Sequence, residues 1–166
     1  MSAEAYPRVL GHIGIAVNDI DAAFEWYRDV LGFTPVMEPD EVTAGEGHFG
    51  QLAEDAVGHD FGTMYIAHLA TGNHVGVELF EFEETEGKTE TNPVAPGISH
   101  LCVQDPNIHE LAETIEETGG EILSSHVWDI FPDTPEYNMV YCEDPWGNIV
   151  EVHSRGYEHM HCNMEY

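Results

Sequence analysis

A chain of 166 residues, 42% of them hydrophobic, can bury one ordinary core and is too short for several independent domains. Against 32 acidic residues stand only Lys88, Arg8, Arg28 and Arg155, for a formal charge of −28. Self-repulsion of that size destabilises a compact chain in dilute buffer and relaxes once salt shortens the Debye length, to roughly 3 Å at 1 M. The acidity is spread along the whole chain, so it reads as general adaptation of a cytosolic protein to high salt, and repulsion of nucleic acid or capture of cations is the weaker reading of it.

The first alternating stretch is HIGIAV, from His12 to Val17. As a strand it places His12, Gly14 and Ala16 on one face and Ile13, Ile15 and Val17 on the other. A helix of about three turns follows, with Asp19 as N-cap, Ile20, Phe24, Tyr27 and Leu31 as its buried stripe, and Gly32 as its stop. FTPVME, GTMYIAHLA and VGVELFEF then read as strands, and the Gly-rich, acidic connection between Glu38 and Gly62 as a long loop. In the last of these strands Glu78, Phe80 and Phe82 lie opposite Val77, Leu79 and Glu81.

Residues 84–97 form a polar linker bearing Pro and Gly, after which the pattern repeats at a constant offset of 88. His12 falls on His100, Ile20 on Ile108, Ala23 on Leu111, Glu25 on Glu113, Tyr27 on Ile115 and Gly32 on Gly120, without a gap. In the second copy His100, Cys102 and Gln104 lie opposite Leu101 and Val103. Asn107 or Asp105 caps the helix, Ile108, Leu111, Ala112 and Ile115 form its stripe, and Gly119-Gly120 ends it. EILSSHVW, YNMVYCE and NIVEVHS read as strands, the last entered through a tight turn, DPWGN, at Asp144 to Asn148. In that last strand Ile149, Glu151 and His153 lie opposite Val150 and Val152. The closing RGYEHMHCNMEY holds His159, His161 and Cys162 and reads as a frayed terminus. The expected fold is therefore α+β, with two tandem βαβββ modules at 8–83 and 98–155, the linker at 84–97 and a tail at 156–166.

The aliphatic face of each strand is what a helix covers. The other face carries His12, Glu78, His100 and Glu151 among small and aromatic residues, where a wetted face would carry Lys, Ser and Thr. Such a mixture is expected of a cavity lining. Each module offers one His from its first strand and one Glu from its last, 66 residues apart in the first module and 51 in the second. The difference is close to the excess length of the Glu38 to Gly62 connection. Two imidazoles and two carboxylates suit one divalent metal ion, Zn, Mn, Co, Ni or Fe, with positions left for water or substrate. His48, His59, His68, His74, His109 and His126 have no ligand spacing and read as surface or loop residues.

Cys102, Cys142 and Cys162 are an odd number without paired spacing, so a disulfide framework is not expected. MSAEAYPRVLGH has no apolar core behind a basic start, and no run approaches about eighteen apolar residues. The expectation is a cytoplasmic chain with no membrane partner. No Gly-rich phosphate loop, nucleophile elbow or basic patch is present, which disfavours nucleic acid as a partner.

The paired starts H…VND and H…VQD, the VELFEF strand and the closing EDPWGNIVEV together resemble the vicinal oxygen chelate superfamily. Its members include glyoxalase I, methylmalonyl-CoA epimerase, extradiol dioxygenases, and fosfomycin and bleomycin resistance proteins. The resemblance runs from about Arg8 to Ser154. It implies paired βαβββ modules forming a curled mixed sheet around a central cavity, with His12, Glu78, His100 and Glu151 as ligands of one metal ion. A His₂Glu₂ set is similar to the glyoxalase and epimerase branches, whereas extradiol dioxygenases resemble a two-His, one-carboxylate triad. The implied activity is that of a metal-dependent lyase or isomerase.

Its small-molecule substrate would carry adjacent oxygens, and a proton would leave the carbon beside a carbonyl polarised by the ion. By resemblance Glu151 is the first choice as base, with Glu78 a close second. His153, one step along the same face, reads as a substrate contact or an ordinary rim histidine, and Phe80 and Tyr141 either line the cavity as substrate contacts or fill the core. His153 can equally stand behind the ligands. Two alternatives stay open: an extradiol-type ring-cleaving dioxygenase, which would tolerate substitution at Glu78, and a non-catalytic protein that sequesters a small molecule without metal. With so few basic residues a glutathione adduct fits poorly. The modules can close the site within one chain or by exchange in a homodimer.

Overall fold

The computed structural model describes residues 7–58, 61–83, 87–88, 92, 94–132 and 135–161. The chain divides into two compact units, Met1–Glu86 and Gly87–Tyr166. Half of the expected linker and the tail cysteine, Cys162, lie outside the described residues.

In the first unit the elements are β1 (His12–Ala16), α1 (Ile20–Asp29), β2 (Thr34–Thr43), α2 (Gly47–Val57), β3 (Thr63–Ala70) and β4 (Gly76–Phe82). The sheet order is β1-β4-β3-β2, with β1 and β4 parallel and the other pairs antiparallel. Asp19 caps α1 as its side chain implies, Oδ1 accepting from the Ala22 N–H at 3.0 Å. Ile20, Phe24 and Tyr27 are buried, as are Ile15, Val17, Leu69, Val77 and Leu79 of the strand faces. Glu81, an acidic residue on that aliphatic face, has a physical reason to be there. Its Oε2 accepts from the Ile20 N–H at 2.7 Å, adding a second acceptor and a negative charge at the positive end of α1. Leu31 lies past the end of the helix and is half-buried.

The connection between Glu38 and Gly62 is not a loop. β2 runs through to Thr43, and α2 follows it. Phe49, Leu52, Ala53 and Val57 recur at helical spacing, a period masked by the surrounding glycines. Those glycines punctuate the helix: Gly45 and Gly47 enter it and Gly58 closes it, at φ of 73°, 62° and 83°. Gly50 has a different task, since a Cβ there would stand 2.1 Å from the Thr43 carbonyl oxygen. Only a glycine lets α2 lie this close to the end of β2. Val42, Ala53, Met64 and Ile66 form a small core under the helix, with Met37, Phe61, Phe80 and Phe82 packed against it.

The second unit contains β5 (Leu101–Gln104), α3 (Ile108–Glu117), β6 (Glu121–Ile122), β7 (Trp128–Asp129), β8 (Asn138–Glu143), β9 (Ile149–His153) and α4 (Tyr157–His161). The order is β5-β9-β8-β6 with β7 also paired to β8, and β5 runs parallel to β9. First and last strands are thus parallel neighbours in both units. EILSSHVW is not one strand: it breaks between β6 and β7, where the Ser124 Oγ accepts the Tyr141 N–H at 2.9 Å and takes a bond that a strand backbone would make. Ile108, Ala112 and Ile115 bury the inner face of α3. Thr118 caps its end and Gly119 follows at φ of 99°, while a Cβ on Gly120 would meet the Glu143 carbonyl oxygen of β8 at 2.4 Å. The tail is ordered in its described part: α4 is a helical turn whose Met160 is fully buried.

The architecture is α+β, with open mixed sheets of four and five strands. Among the described residues no helix is long and apolar enough to cross a membrane.

Candidate metal centre

Register builds the same pair twice. In the first unit Gly14 of β1 lies opposite Glu78 of β4, which sets His12 two residues before that partner on the same face. His12 Nε2 stands 3.4 Å from Glu78 Oε2. In the second unit Cys102 of β5 lies opposite Glu151 of β9, so His100 occupies the equivalent place. His100 Nε2 is 3.0 Å from Glu151 Oε2. Glycines make room in the first pair: a Cβ on Gly76 would come within 2.9 Å of the His12 Cβ, and one on Gly14 within 3.0 Å of the Phe80 ring.

The surroundings of the two carboxylates differ. Directly across from Glu78 on β3 sits His68, its Nδ1 3.5 Å from Glu78 Oε1. Sequence reading placed His68 among surface or loop residues. The alternation Met64, Ile66, His68 in β3 carried the signal that it faces inward, but nothing in the sequence gave the register against β4. Across from Glu151 on β8 sits Tyr141, which hydrogen-bonds to the carboxylate, while His153 Nε2 lies 3.0 Å from Glu151 Oε1. The His100 ring meets Tyr141 edge-on at 5.5 Å. Glu151 and His153 are only 6% and 4% exposed, so the ionisable face of β9 is not wetted. Phe80, two residues beyond Glu78, stacks with Phe82.

Electrostatics follow from that packing. Desolvation pushes Glu151 up, but hydrogen bonds from His153 and Tyr141 and the nearby imidazoles of His153 and His100 outweigh it, holding the carboxyl below its ordinary range. Desolvation and the Glu151 carboxylate push the Cys102 thiol up to about 12. The same two influences, joined by the hydrogen bond to Glu151, push the Tyr141 phenol up to about 12. Cys102, Glu151 and His153 each offer a donor atom within 4.8 Å of the others.

Within each unit the His–Glu separation is one that two ligands of a divalent ion can take. Neighbouring ligands on an ion bound at about 2.1 Å are separated by roughly 3.0 Å in octahedral and 3.4 Å in tetrahedral geometry. The two His–Glu pairs stand at 3.0 and 3.4 Å. Imidazole and carboxylate are also donors that borderline divalent metals accept. Beside the first pair lies a cleft of about 650 Å³ whose wall includes Met37, Val42, Phe49, Ile66 and His68.

Comparison with known proteins agrees with this architecture. An ethylmalonyl-CoA/methylmalonyl-CoA epimerase from Cereibacter sphaeroides is 29% identical over 119 residues, covering 70% of this chain and 75% of that protein. A glyoxalase family protein from Bacillus cereus superposes with a TM-score of 0.72 at 19% identity, over 92% of this chain and 97% of that one. Glyoxalase I from Zea mays gives 0.61 at 19% identity over 89% of this chain, which spans 44% of the maize chain. A fosfomycin resistance protein from Listeria monocytogenes, solved with Mn(II) and sulfate, gives 0.55 at 14% identity over 92% of this chain and 97% of that one. At these identities the structures show a shared fold. The family model Glyoxalase/Bleomycin resistance protein/Dioxygenase superfamily matches residues 9–152, and the chain belongs to that superfamily.

Proposed function

We propose that the protein is a metal-dependent isomerase or lyase of the epimerase and glyoxalase kind, moving a proton on a carbon next to a carbonyl. The observation that carries this reading is the repeated pair, His12 with Glu78 and His100 with Glu151, at matched register and at ligand-like separation in each unit. Each pair lies within its own unit, and it is membership of the superfamily that supports proposing all four as ligands of one divalent ion. When bound, the ion supplies a Lewis acid for a substrate with adjacent oxygens, such as a hydroxy-ketone or a 2-acyl thioester. The epimerase relative supports the second of these classes.

The remaining chemistry belongs to side chains. A general base must reach the carbon acid, so it needs room to move. Glu151 is almost enclosed and held by His100, His153 and Tyr141. Glu78 is a quarter exposed, and its imidazole contacts are longer, at 3.4 and 3.5 Å. The packing therefore favours Glu78 as base and Glu151 as anchoring ligand, the reverse of the order that resemblance implies. Glu78 takes the proton from the carbon and returns it to that carbon or its neighbour. Phe80, Tyr141 and His153 remain proposed substrate contacts around this centre.

The test is metal content by elemental analysis of protein kept in molar salt, paired with deuterium incorporation from D₂O into a 2-acyl thioester. About one divalent ion per chain is expected, lost in His100→Ala and weakened in Glu78→Gln, with exchange abolished in both. Metal binding indifferent to Glu78, with oxygen uptake on a catechol, would replace this reading by a dioxygenase. No metal after reconstitution would leave a sequestering protein.

A further inference from the structure

The carboxylates of the two pairs share a feature that register alone does not impose. In each, Oε2 faces the first-strand histidine and Oε1 faces a second imidazole. The second imidazole comes from a different place each time. In the second unit it is His153, two residues along β9 from Glu151. The equivalent position in β4 is Phe80, which offers nothing to a carboxylate. In the first unit it is His68, opposite Glu78 on β3, a place that Tyr141 fills in the second. Two unrelated positions thus each supply an imidazole to Oε1, at 3.0 Å in the second unit and a longer 3.5 Å in the first.

We infer that His68 is a positioning residue for Glu78: its Nδ1, 3.5 Å from Oε1, orients the carboxylate so that Oε2 turns toward His12 as a single-oxygen donor to metal, while the longer contact leaves Oε1 able to take the proton. This deepens the proposed metal-dependent function and rests on it. An unheld carboxylate next to a bound ion has rotamers that point away from it, and groups that fix a ligand's orientation are worth 10–100-fold in metal affinity. The burden differs between units. Glu151 keeps Tyr141 if His153 is removed, whereas among the described residues only His12 and His68 bring a basic nitrogen within 4.0 Å of the Glu78 carboxylate. Loss of His68 therefore weakens metal binding more than loss of His153.

His68 also lines the cleft beside α2 with Ile66 and Phe49 and is itself only partly exposed, at 27% of its side chain. An asparagine at this position keeps an N–H donor near the place of Nδ1, while an alanine or phenylalanine does not.

The experiment is titration of the metal-free chain with Co²⁺ in molar NaCl, followed by visible absorption, on native protein and on His68→Ala, His68→Phe, His68→Asn and His153→Phe. Urea unfolding of each variant without metal serves as the folding control. The expected result is a 10–100-fold loss of Co²⁺ affinity with an altered absorption band in His68→Ala and His68→Phe, recovery by His68→Asn, and a smaller loss in His153→Phe. Unchanged affinity and spectrum in folded His68→Ala, with native binding intact, would overturn this inference and leave the metal site standing. Affinity lost equally in His68→Asn and His68→Phe would also overturn it. Failure of the native chain to bind Co²⁺ at all would overturn both.

Discussion

Asp144 is the residue whose replacement tests how β9, and with it Glu151, is held. Its carboxylate is fully buried, with Oδ1 accepting the backbone N–H groups of Trp146 at 2.9 Å and Asn148 at 2.8 Å. Oδ2 accepts from the Asn148 side-chain amide at 2.9 Å. The backbone closes the same turn through Asp144 N–H to Asn148 O at 2.9 Å. In Asp144→Ala the two backbone donors lose their acceptor, at about 1–3 kcal/mol each, while the amide can turn to solvent. Part of the cost of burying a charge is recovered. A net loss of about 3 kcal/mol is expected. Asp144→Asn keeps an oxygen for both backbone donors and gives up the contact with the Asn148 amide, so about 1 kcal/mol is expected. The assay is urea unfolding in molar NaCl followed by circular dichroism. A loss under about 1 kcal/mol in Asp144→Ala, or equal losses in the two variants, would refute the claim that these acceptors hold the turn.

Three further outcomes are expected. Gly50→Ala forces a Cβ to within 2.1 Å of the Thr43 carbonyl oxygen, so α2 must lift from β2; a loss of about 1–3 kcal/mol in urea unfolding checks this, overpacking being costly where backbone cannot yield. In the metal-free folded chain Cys102, pushed up to about 12, should alkylate with iodoacetamide at pH 8 far more slowly than free cysteine, and Glu151→Gln should accelerate it; mass spectrometry of the Cys102 peptide gives the rates. With a formal charge of −28, the melting temperature should rise steeply between 0.1 and about 1 M NaCl, where the Debye length falls from about 10 to 3 Å; a flat response measured calorimetrically would argue against self-repulsion.

The sequence by itself determined the elements that local chemistry controls and the duplication that organises them. Asp19 capped α1 because a carboxylate one residue before an apolar helix stripe has one good use, and DPWGN turned because Asp144 can fold back onto its own backbone. The gapless offset between His12 and His100 forecast equivalent first strands, and period-two alternation put His12, Glu78, His100 and Glu151 on the non-aliphatic faces. Alternation says which face a residue takes but not what lies across from it. Strand register, decided by tertiary pairing, made His68 a neighbour of Glu78 and Tyr141 a neighbour of Glu151. α2 was hidden because its glycines read as loop, yet one of them is required by packing against Thr43, a contact between segments that no local pattern contains. The burial of Glu151 and His153 is likewise a property of what surrounds β9, since the same alternating sequence on a surface would have been wet.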